Sequence, residues 1–408
     1  MTRVFFLLYN EKSKLSTPRL IFKFVYDIIE KKGFGFMGFS EMSSKLRVIT
    51  ICLIVLVSLL VVFIISFLII GLSYGDGVGK VSSDFYGDLF SRSQIEDDVR
   101  IADIAMLGAH DAFSDKIDGK SAVDPSENGG LVSNGFVNTF AKGFAVRYSK
   151  AQRSGAGVLL NAGVRYFDVR ISYYNGSWYT RHGYISDLLG AYLIEILVFL
   201  KDHPGEFIIF DIQDVYVGSS NYKELFEYIG NVKYAVESGR GKSLLDYIHY
   251  SPTEIPIGEL TYGQVTLNGE KGGVVILCPA QVTEANNYHY KRSDSIRSVW
   301  HNCISDEDMI NGIMSEYEVL ATNPTLDRDK IRVNQAQKTF QSTDILSSIA
   351  GWSLLKLAEN FNSILVENEF FNQWFEVMPV FMVDYCNSSA GYFNNIVNDA
   401  IIEYNKKL

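Results

Sequence analysis

Twenty-five consecutive residues, Val48–Leu72 (VITICLIVLVSLLVVFIISFLIIGL), carry no charge, and that run restricts the chain more than any other feature. A helix of about 20 such residues crosses the hydrocarbon core of a bilayer. A buried core helix of this length normally keeps a polar face, which the run lacks. The apolar part of a cleaved signal peptide is shorter, about 7–15 residues, and sits nearer the start. The run predicts a single transmembrane signal anchor over residues 48–74. Its flanks orient it. Residues 1–47 hold nine Lys or Arg and four Asp or Glu. That net +5, set against −10 for the whole chain, leaves −15 for everything after the span. By the positive-inside rule the basic tail 1–47 is cytosolic and the acidic remainder is extracellular or lumenal.

Within the tail, Leu20–Ile29 (LIFKFVYDII) reads either as an amphipathic helix on the anionic inner leaflet or as a poorly ordered segment, and Gly33–Gly38 breaks any helix. Residues 75–97 read as a tether. The excess of acid argues against nucleic acid as a partner, because phosphate-backbone binding needs a basic face. A composition of 47% hydrophobic and 21% charged residues excludes general disorder. Two sequons, Asn175-Gly176-Ser177 and Asn387-Ser388-Ser389, agree with a domain on the far side of the membrane, and both lie near strands proposed below to carry the site. Cys278, Cys303 and Cys386 form an odd set without framework spacing, compatible with one bridge and a free thiol or with three free thiols.

From residue 98 to 408 strand-like and helix-like segments alternate. The strands are Arg100–Leu107, Val164–Ile171, Trp178–Arg181, Glu206–Asp214, Gly273–Pro279, Ile331–Gln337 and Pro379–Tyr385. Helical patterns cover Ile185–Lys201, Tyr222–Val236, Asp306–Val319, Asp344–Phe361 and Tyr392–Tyr404. Residues 113–150, with Asn128-Gly129-Gly130, read as a long loop over the site. This alternation predicts an α/β fold with a parallel sheet, and seven or so units over about 310 residues suit a closed or nearly closed barrel better than a doubly wound sheet. No dinucleotide, P-loop, nucleophile-elbow or zincin motif occurs.

Chemistry in such a barrel sits at the C-terminal strand ends. Those ends bring His110 and Asp111, then Asp168 and Arg170, then His182, then Asp211 and Gln213, and finally Asp384. Asp168 and Arg170 are two apart on a strand and share a face. Any one histidine is well explained as a structural residue. Two histidines, an arginine and several aspartates at successive strand ends describe chemistry on a phosphate. His203 lies in a polar turn, and the segments around His249, His289 and His301 have no clear place in the pattern.

The same residues carry a resemblance. MLGAHDAFS, LNAGVRYFDVRI, RHG, DHPGEFIIFDIQD and VFMVDY, in that order, resemble the catalytic X domain of phosphatidylinositol-specific phospholipase C (PI-PLC), in its X-domain-only branch and the bacterial enzymes. The likeness covers Arg100–Asp214 well, is looser through Gly273–Gln337 and resumes at the last strand. It implies a distorted TIM barrel over 98–408. It also implies a phosphoric diester hydrolase or lyase acting on inositol phospholipid or an inositol-linked lipid through a cyclic inositol phosphate. His110 would be the general base toward the inositol 2-hydroxyl and His182 the general acid toward the leaving diacylglycerol oxygen, roles that suit a side chain with a pKa of about 6.5. Asp384 would fix the tautomer of His110, and Asp111 that of His182. Arg170 would neutralise charge on the phosphate oxygens, and Asp168 would orient Arg170 or a substrate hydroxyl. Gln213 and Asp211 would lie along the substrate.

Calcium-dependent members carry Asn after the first histidine, Glu-x-Asp on the second strand and Glu on the fourth. Here those places hold Asp111, Asp168-x-Arg170 and Gln213. An arginine cannot ligate calcium and supplies the charge the metal would give, so no cofactor and no metal are expected. Gln213 departs from the bacterial pattern, which places Lys there. The alternative is a catalytically weak member of the same fold that binds lipid or protein.

Overall fold

The structure, a computed structural model, describes residues 43–71, 85–127, 132–133, 135, 138–139, 142–233, 242–249, 255–279, 289–340, 353–368, 370–387 and 392–408. The stretch Leu20–Ile29, the glycines of 33–38 and Asn128-Gly129-Gly130 lie outside these residues. Helix α1 (Ser44–Gly71) contains the uncharged run. At 1.5 Å per residue its 28 residues extend about 42 Å, more than the roughly 30 Å of a bilayer core. Most of its Leu, Val, Ile and Phe side chains from Leu46 to Ile69 are exposed, with Ile54, Phe67 and Leu68 half-buried. Among the described residues it is the one helix long and apolar enough to cross a membrane.

The remainder is built on a parallel sheet. Its strands are β1 (Met106–Ala109), β2 (Val164–Tyr174), β5 (Phe207–Tyr216), β6 (Gly273–Cys278), β7 (Tyr290–Lys291), β8 (Ile296–Ser298), β9 (Ile331–Gln335) and β10 (Val380–Val383). They pair in the order β7-β6-β5-β2-β1-β10-β9-β8. The first and last strands are therefore neighbours, Met106 beside Val380. A parallel sheet whose chain ends meet in its middle has curled round on itself, and the seam falls between the short edge strands β7 and β8. This is the expected α/β barrel, left open at one seam. β1, β6, β10 and the start of β5 are apolar and buried throughout, because both faces are covered. Phe207, Ile208, Ile209 and Phe210 of β5 are all buried. Helix α5 (Leu189–Asp202) covers the sheet with Tyr192, Leu193, Ile196, Leu197 and Leu200, spaced as one helical face. The remaining helices are α2 (Leu89–Ser93), α3 (Lys142–Ser149), α4 (Ala156–Asn161), α6 (Tyr222–Asn231), α7 (Tyr262–Thr266), α8 (Arg292–Ser295), α9 (Asp306–Thr322), α10 (Leu354–Glu367), α11 (Phe371–Trp374) and α12 (Tyr392–Asn405).

Five expectations change. The strand placed at Arg100–Leu107 is shorter and later: Arg100 makes only an isolated bridge to Thr261, residues 101–103 form turns, and the strand runs over Met106–Ala109. The third predicted strand is not a barrel strand. It is β3 (Ser177–His182), antiparallel both to the upper half of β2 and to β4 (Tyr184–Leu188). The hairpin is closed by Asn175-Gly176, with φ of 47° and 82°, the pair of positive values that a two-residue type I′ turn requires. Periodicity alone gives a strand but not its direction; the Asn-Gly pair held that information. The helix expected from Ile185 starts at Leu189, since Tyr184–Leu188 pairs with β3. Of the stretch assigned to a tether, residues 85–97 are described and pack onto the barrel. Tyr86, Leu89 and Phe90 are in the core, and the carbonyls of Tyr86 and Gly87 accept from the buried Arg165. The helix expected at Asp344–Phe361 runs from Leu354 to Glu367, with 344–352 outside the described residues. None of the four cysteines is in a disulfide.

Candidate active site

The upper ends of β1, β2, β5 and β10, with the end of β3, surround a cavity of about 570 Å³. His110, Asp111, Arg170, His182, Gln213 and Asp384 all line it. Asp168 and Asp211 do not line it. Asp168 lies beneath His110 and Asp111, and Asp211 is held by the Tyr166 hydroxyl at 2.5 Å and by Arg292 Nε at 2.8 Å. Arg292 begins α8, the link between the two edge strands, so Asp211 ties β5 to the seam.

Local backbone aims these groups. The residue after His110 and the residue after Asp384 both adopt left-handed conformations, Asp111 at φ 41° and Tyr385 at φ 48°. Such positions are costly for non-glycine residues and persist where surrounding structure fixes them. Here the fixing is visible. Gln152, fully buried, donates from Nε2 to the carbonyls of His110 and Val383, both at 3.0 Å, and its Oε1 accepts from the Cys386 amide at 3.2 Å. One side chain thus clasps the ends of β1 and β10. The Ala112 amide donates to the Asp168 carbonyl at 2.7 Å. His182 precedes Gly183 (φ 69°), a one-residue reversal between β3 and β4 that holds the imidazole at the hairpin base, opposite its Asn175 tip.

His110 donates from Nδ1 to Asp384 Oδ1 at 2.7 Å, and its Nε2 faces Asp111 Oδ2 at 3.4 Å and Asp168 Oδ2 at 3.8 Å. His182 donates from Nδ1 to the Ser149 carbonyl at 3.0 Å, and its Nε2 lies 3.1 Å from Asp111 Oδ2. The resemblance implied Asp111 as the tautomer-holding partner of His182. The geometry gives that place to Ser149 and sets Asp111 between the Nε2 edges of both rings. Arg170 Nε donates to Gln213 Oε1 at 2.8 Å and stands 2.9 Å from Asp111 Oδ1.

Burial alone disfavours a charged His110, but the carboxylates of Asp111, Asp384 and Asp168 override it and raise the ring to about 9. His182 goes the other way. Burial, with Arg170 and His110 adding to it, outweighs Asp111 and brings it down to about 4. Asp111 would rise through burial, yet Arg170 and the two histidines hold it down to about 2. Asp168 is pushed up to about 6 by burial, with Asp111 and Asp211 adding like charge against His110 and Arg170. Burial also raises Asp384.

His110, Asp111 and Asp168 each offer a ligand atom within 4.8 Å of the others. They do not suit calcium, which takes six to eight oxygen ligands. This set contributes two carboxylates and a nitrogen, and the guanidinium of Arg170 already lies against Asp111. The rest of the lining is mixed: Val132, Ala145, Tyr148, Trp300, Phe340 and Leu354 are apolar or aromatic, and Glu127, Gln335, Lys338 and Thr339 are polar. Sequence reasoning placed residues 113–150 over the site as a loop without singling out Val132, Ala145 or Tyr148, and it assigned no site role to Gln152, Trp300, Phe340 or Leu354.

No family model matches the chain. The PI-PLC X domain-containing protein 2 of Mus musculus is 32% identical over 122 residues, which cover 29% of this chain and 36% of that protein. Protein 3 of the same name from Bos taurus is 35% identical over 125 residues, covering 29% and 38%. The chain thus spans well under half the length of the curated relatives it matches. Among solved structures, a phosphatidylinositol-specific phospholipase C from Staphylococcus aureus superposes with a TM-score of 0.51 over 78% of this chain and 97% of its own, at 14% identity. At that identity the likeness speaks for the fold.

Proposed function

We propose that this chain, a relative of the PI-PLC X-domain proteins in sequence and fold, is a metal-independent phosphodiesterase that cleaves an inositol phospholipid or an inositol-linked lipid. The observation that carries the reading is the convergence of His110, His182 and Arg170 around Asp111 in one cavity whose lining also includes apolar and aromatic residues. An amphiphile with a phosphodiester between a polyol and a glyceride fits that mixed lining. In this reading His110, backed by Asp384, takes the proton of the inositol 2-hydroxyl. The freed oxygen attacks phosphorus in line, and the bond to the diacylglycerol oxygen breaks. His182 gives that oxygen a proton, leaving cyclic inositol phosphate and diacylglycerol. Arg170, steadied by Gln213, faces the non-bridging oxygens and supplies the positive charge a metal would otherwise give. Asp168 supports the turn that carries Asp111 through the Asp111 amide.

One observation favours a second reading, a catalytically weak binder of lipid. In the free protein the carboxylates around His110 favour its charged form and burial disfavours that of His182, the reverse of what a resting base and acid require. Turnover in the proposed direction requires a proton to pass from one to the other, across the Asp111 carboxylate that lies between them. The basic tail and α1 support a single-pass anchor with the barrel on the extracellular or lumenal side, where inositol-linked protein anchors are available substrates.

The test is incubation of the full chain in detergent with phosphatidylinositol in the presence of a chelator. Cyclic inositol phosphate and diacylglycerol are expected. Lipid binding with no product supports the weak binder, and loss of activity on chelation removes the metal-free mechanism.

A further inference from the structure

We propose that Asn175 is the single N-glycan attachment site of the folded chain and that Asn387, the other sequon asparagine, stays unmodified. The sequence contains these two sequons and no third. The fold separates them. Asn175 is exposed at the tip of the β2–β3 hairpin, the first of two left-handed turn residues. Around its neighbour Gly176 no heavy atom lies within 4 Å of where a Cβ would stand, so the tip is open space. Asn387 is 1% exposed and its Nδ2 donates to Ser154 Oγ at 3.0 Å. A chain carrying sugar on that nitrogen cannot close this contact.

The hairpin also answers whether a glycan would block the cavity. Five residues of extended strand separate Ser177 from His182, about 17 Å at 3.3 Å per residue. The tip points away from the imidazole at the hairpin base, so sugar there leaves the cavity mouth free. The inference rests on the topology proposed above, which brings the barrel into the compartment where the transfer occurs. In that transfer Asn175 Nδ2 attacks the anomeric carbon of an oligosaccharide carried on a polyprenyl diphosphate. A carbon–nitrogen bond forms, the carbon–oxygen bond to the diphosphate breaks, the amide loses one proton and the polyprenyl diphosphate leaves. Ser177 supplies the hydroxyl the sequon requires.

The test is expression of the full chain in a eukaryotic secretory host, followed by gel mobility of the membrane fraction with and without an endoglycosidase that removes N-glycans. One upward shift, reversed by the enzyme, is expected. Asn175→Asp, which keeps a residue tolerant of the left-handed turn, and Ser177→Ala should each abolish the shift, and Asn387→Gln should leave it unchanged. A shift that survives Ser177→Ala, or that disappears in Asn387→Gln, overturns the assignment. Protease added to sealed vesicles distinguishes the two claims. A protected but unshifted barrel overturns the glycan alone, and a digested barrel overturns the topology and the glycan together.

Discussion

The two ends of the barrel each bury charge, and they treat it in opposite ways. At the lower end, Arg165 of β2 and Glu206, just before β5, are both fully buried. Arg165 Nε reaches Glu206 at 2.8 Å, and its remaining nitrogens donate to the carbonyls of Leu160, Val164, Tyr86 and Gly87. Glu206 Oε1 accepts from the amides of Phe90 and Ser91. The network is complete, and it fastens the incoming chain, residues 86–91, beneath the sheet. At the upper end, both oxygens of Asp111 and one of Asp168 are buried without a hydrogen bond, held only by neighbouring charge. Buried polar groups are normally satisfied, and unsatisfied ones concentrate where a ligand completes them. The same residue types therefore serve architecture below and chemistry above.

That contrast is broken most severely by removing an upper-end histidine. His110→Ala should lower turnover of phosphatidylinositol by about 10²–10⁴-fold, the usual contribution of a positioned acid or base, with a melting temperature close to the parent's. Retained activity would falsify its role as base. At the lower end the effect moves from rate to stability. Arg165→Met leaves the Glu206 carboxylate without its counter-ion and takes the guanidinium donor from the carbonyls of Leu160, Val164, Tyr86 and Gly87, and a broken buried pair costs about 3–5 kcal/mol. Denaturant titration should show that loss, and the fraction that remains folded should turn over substrate at nearly the parental rate. A rate loss as large as that of His110→Ala would mean the two ends are not independent.

Gln152 tests the join between architecture and chemistry. Replacing it with leucine takes a donor from the His110 carbonyl and the acceptor from the Cys386 amide, while the Val383 carbonyl keeps the His110 amide, at about 1–3 kcal/mol for buried groups left unsatisfied. It also loosens the two strands that carry His110 and Asp384. Stability should fall by that amount, and kcat should drop while KM changes little, because substrate contacts are untouched. An unchanged kcat would show that the His110–Asp384 pair holds itself in place.

How much of this was legible in the sequence differs between the same two regions. The strand-end residues of β1, β2, β5 and β10 could be read because a buried parallel strand is an apolar run whose first polar residues mark its end. His110, Arg170, Gln213 and Asp384 all reach the cavity on that logic. His182 was found for a different reason than the one that places it there. It ends a hairpin strand, not a barrel strand, and antiparallel pairing is invisible to a two-residue period. Asp211 shows the limit of the rule. The apolar run suggests a strand end near it, but β5 continues to Tyr216 and Asp211 lies mid-strand, occupied by Arg292 and Tyr166 from positions 81 and 45 residues away in sequence. The Arg165–Glu206 pair and Gln152 had no sequence signal for the same reason: their meaning lies in partners brought close only by the closed sheet.

The smallest effect is also the most specific to the upper end. Asp111 lies against the Nε2 of both rings, and its charge is the largest of the influences that raise His110. Asp111→Asn should therefore draw His110 down from about 9 toward its ordinary value near 6.5. It should also lower His182 further below about 4, because Asp111 is what opposes burial there. In a profile of kcat/KM against pH, whose limbs report groups of the free protein, the alkaline limb should move to lower pH and the acid limb should move lower as well. Stability follows the same sign. A histidine whose folded pKa exceeds its unfolded one contributes stability that is full below about pH 6.5 and is lost as pH rises through about 9. The parent's melting temperature should thus decline across that window, and decline less in Asp111→Asn. A parent curve that is flat from pH 6.5 to 9 would show that His110 carries no extra affinity for its proton in the folded state, and would remove the inverted protonation on which the weak-binder reading rests.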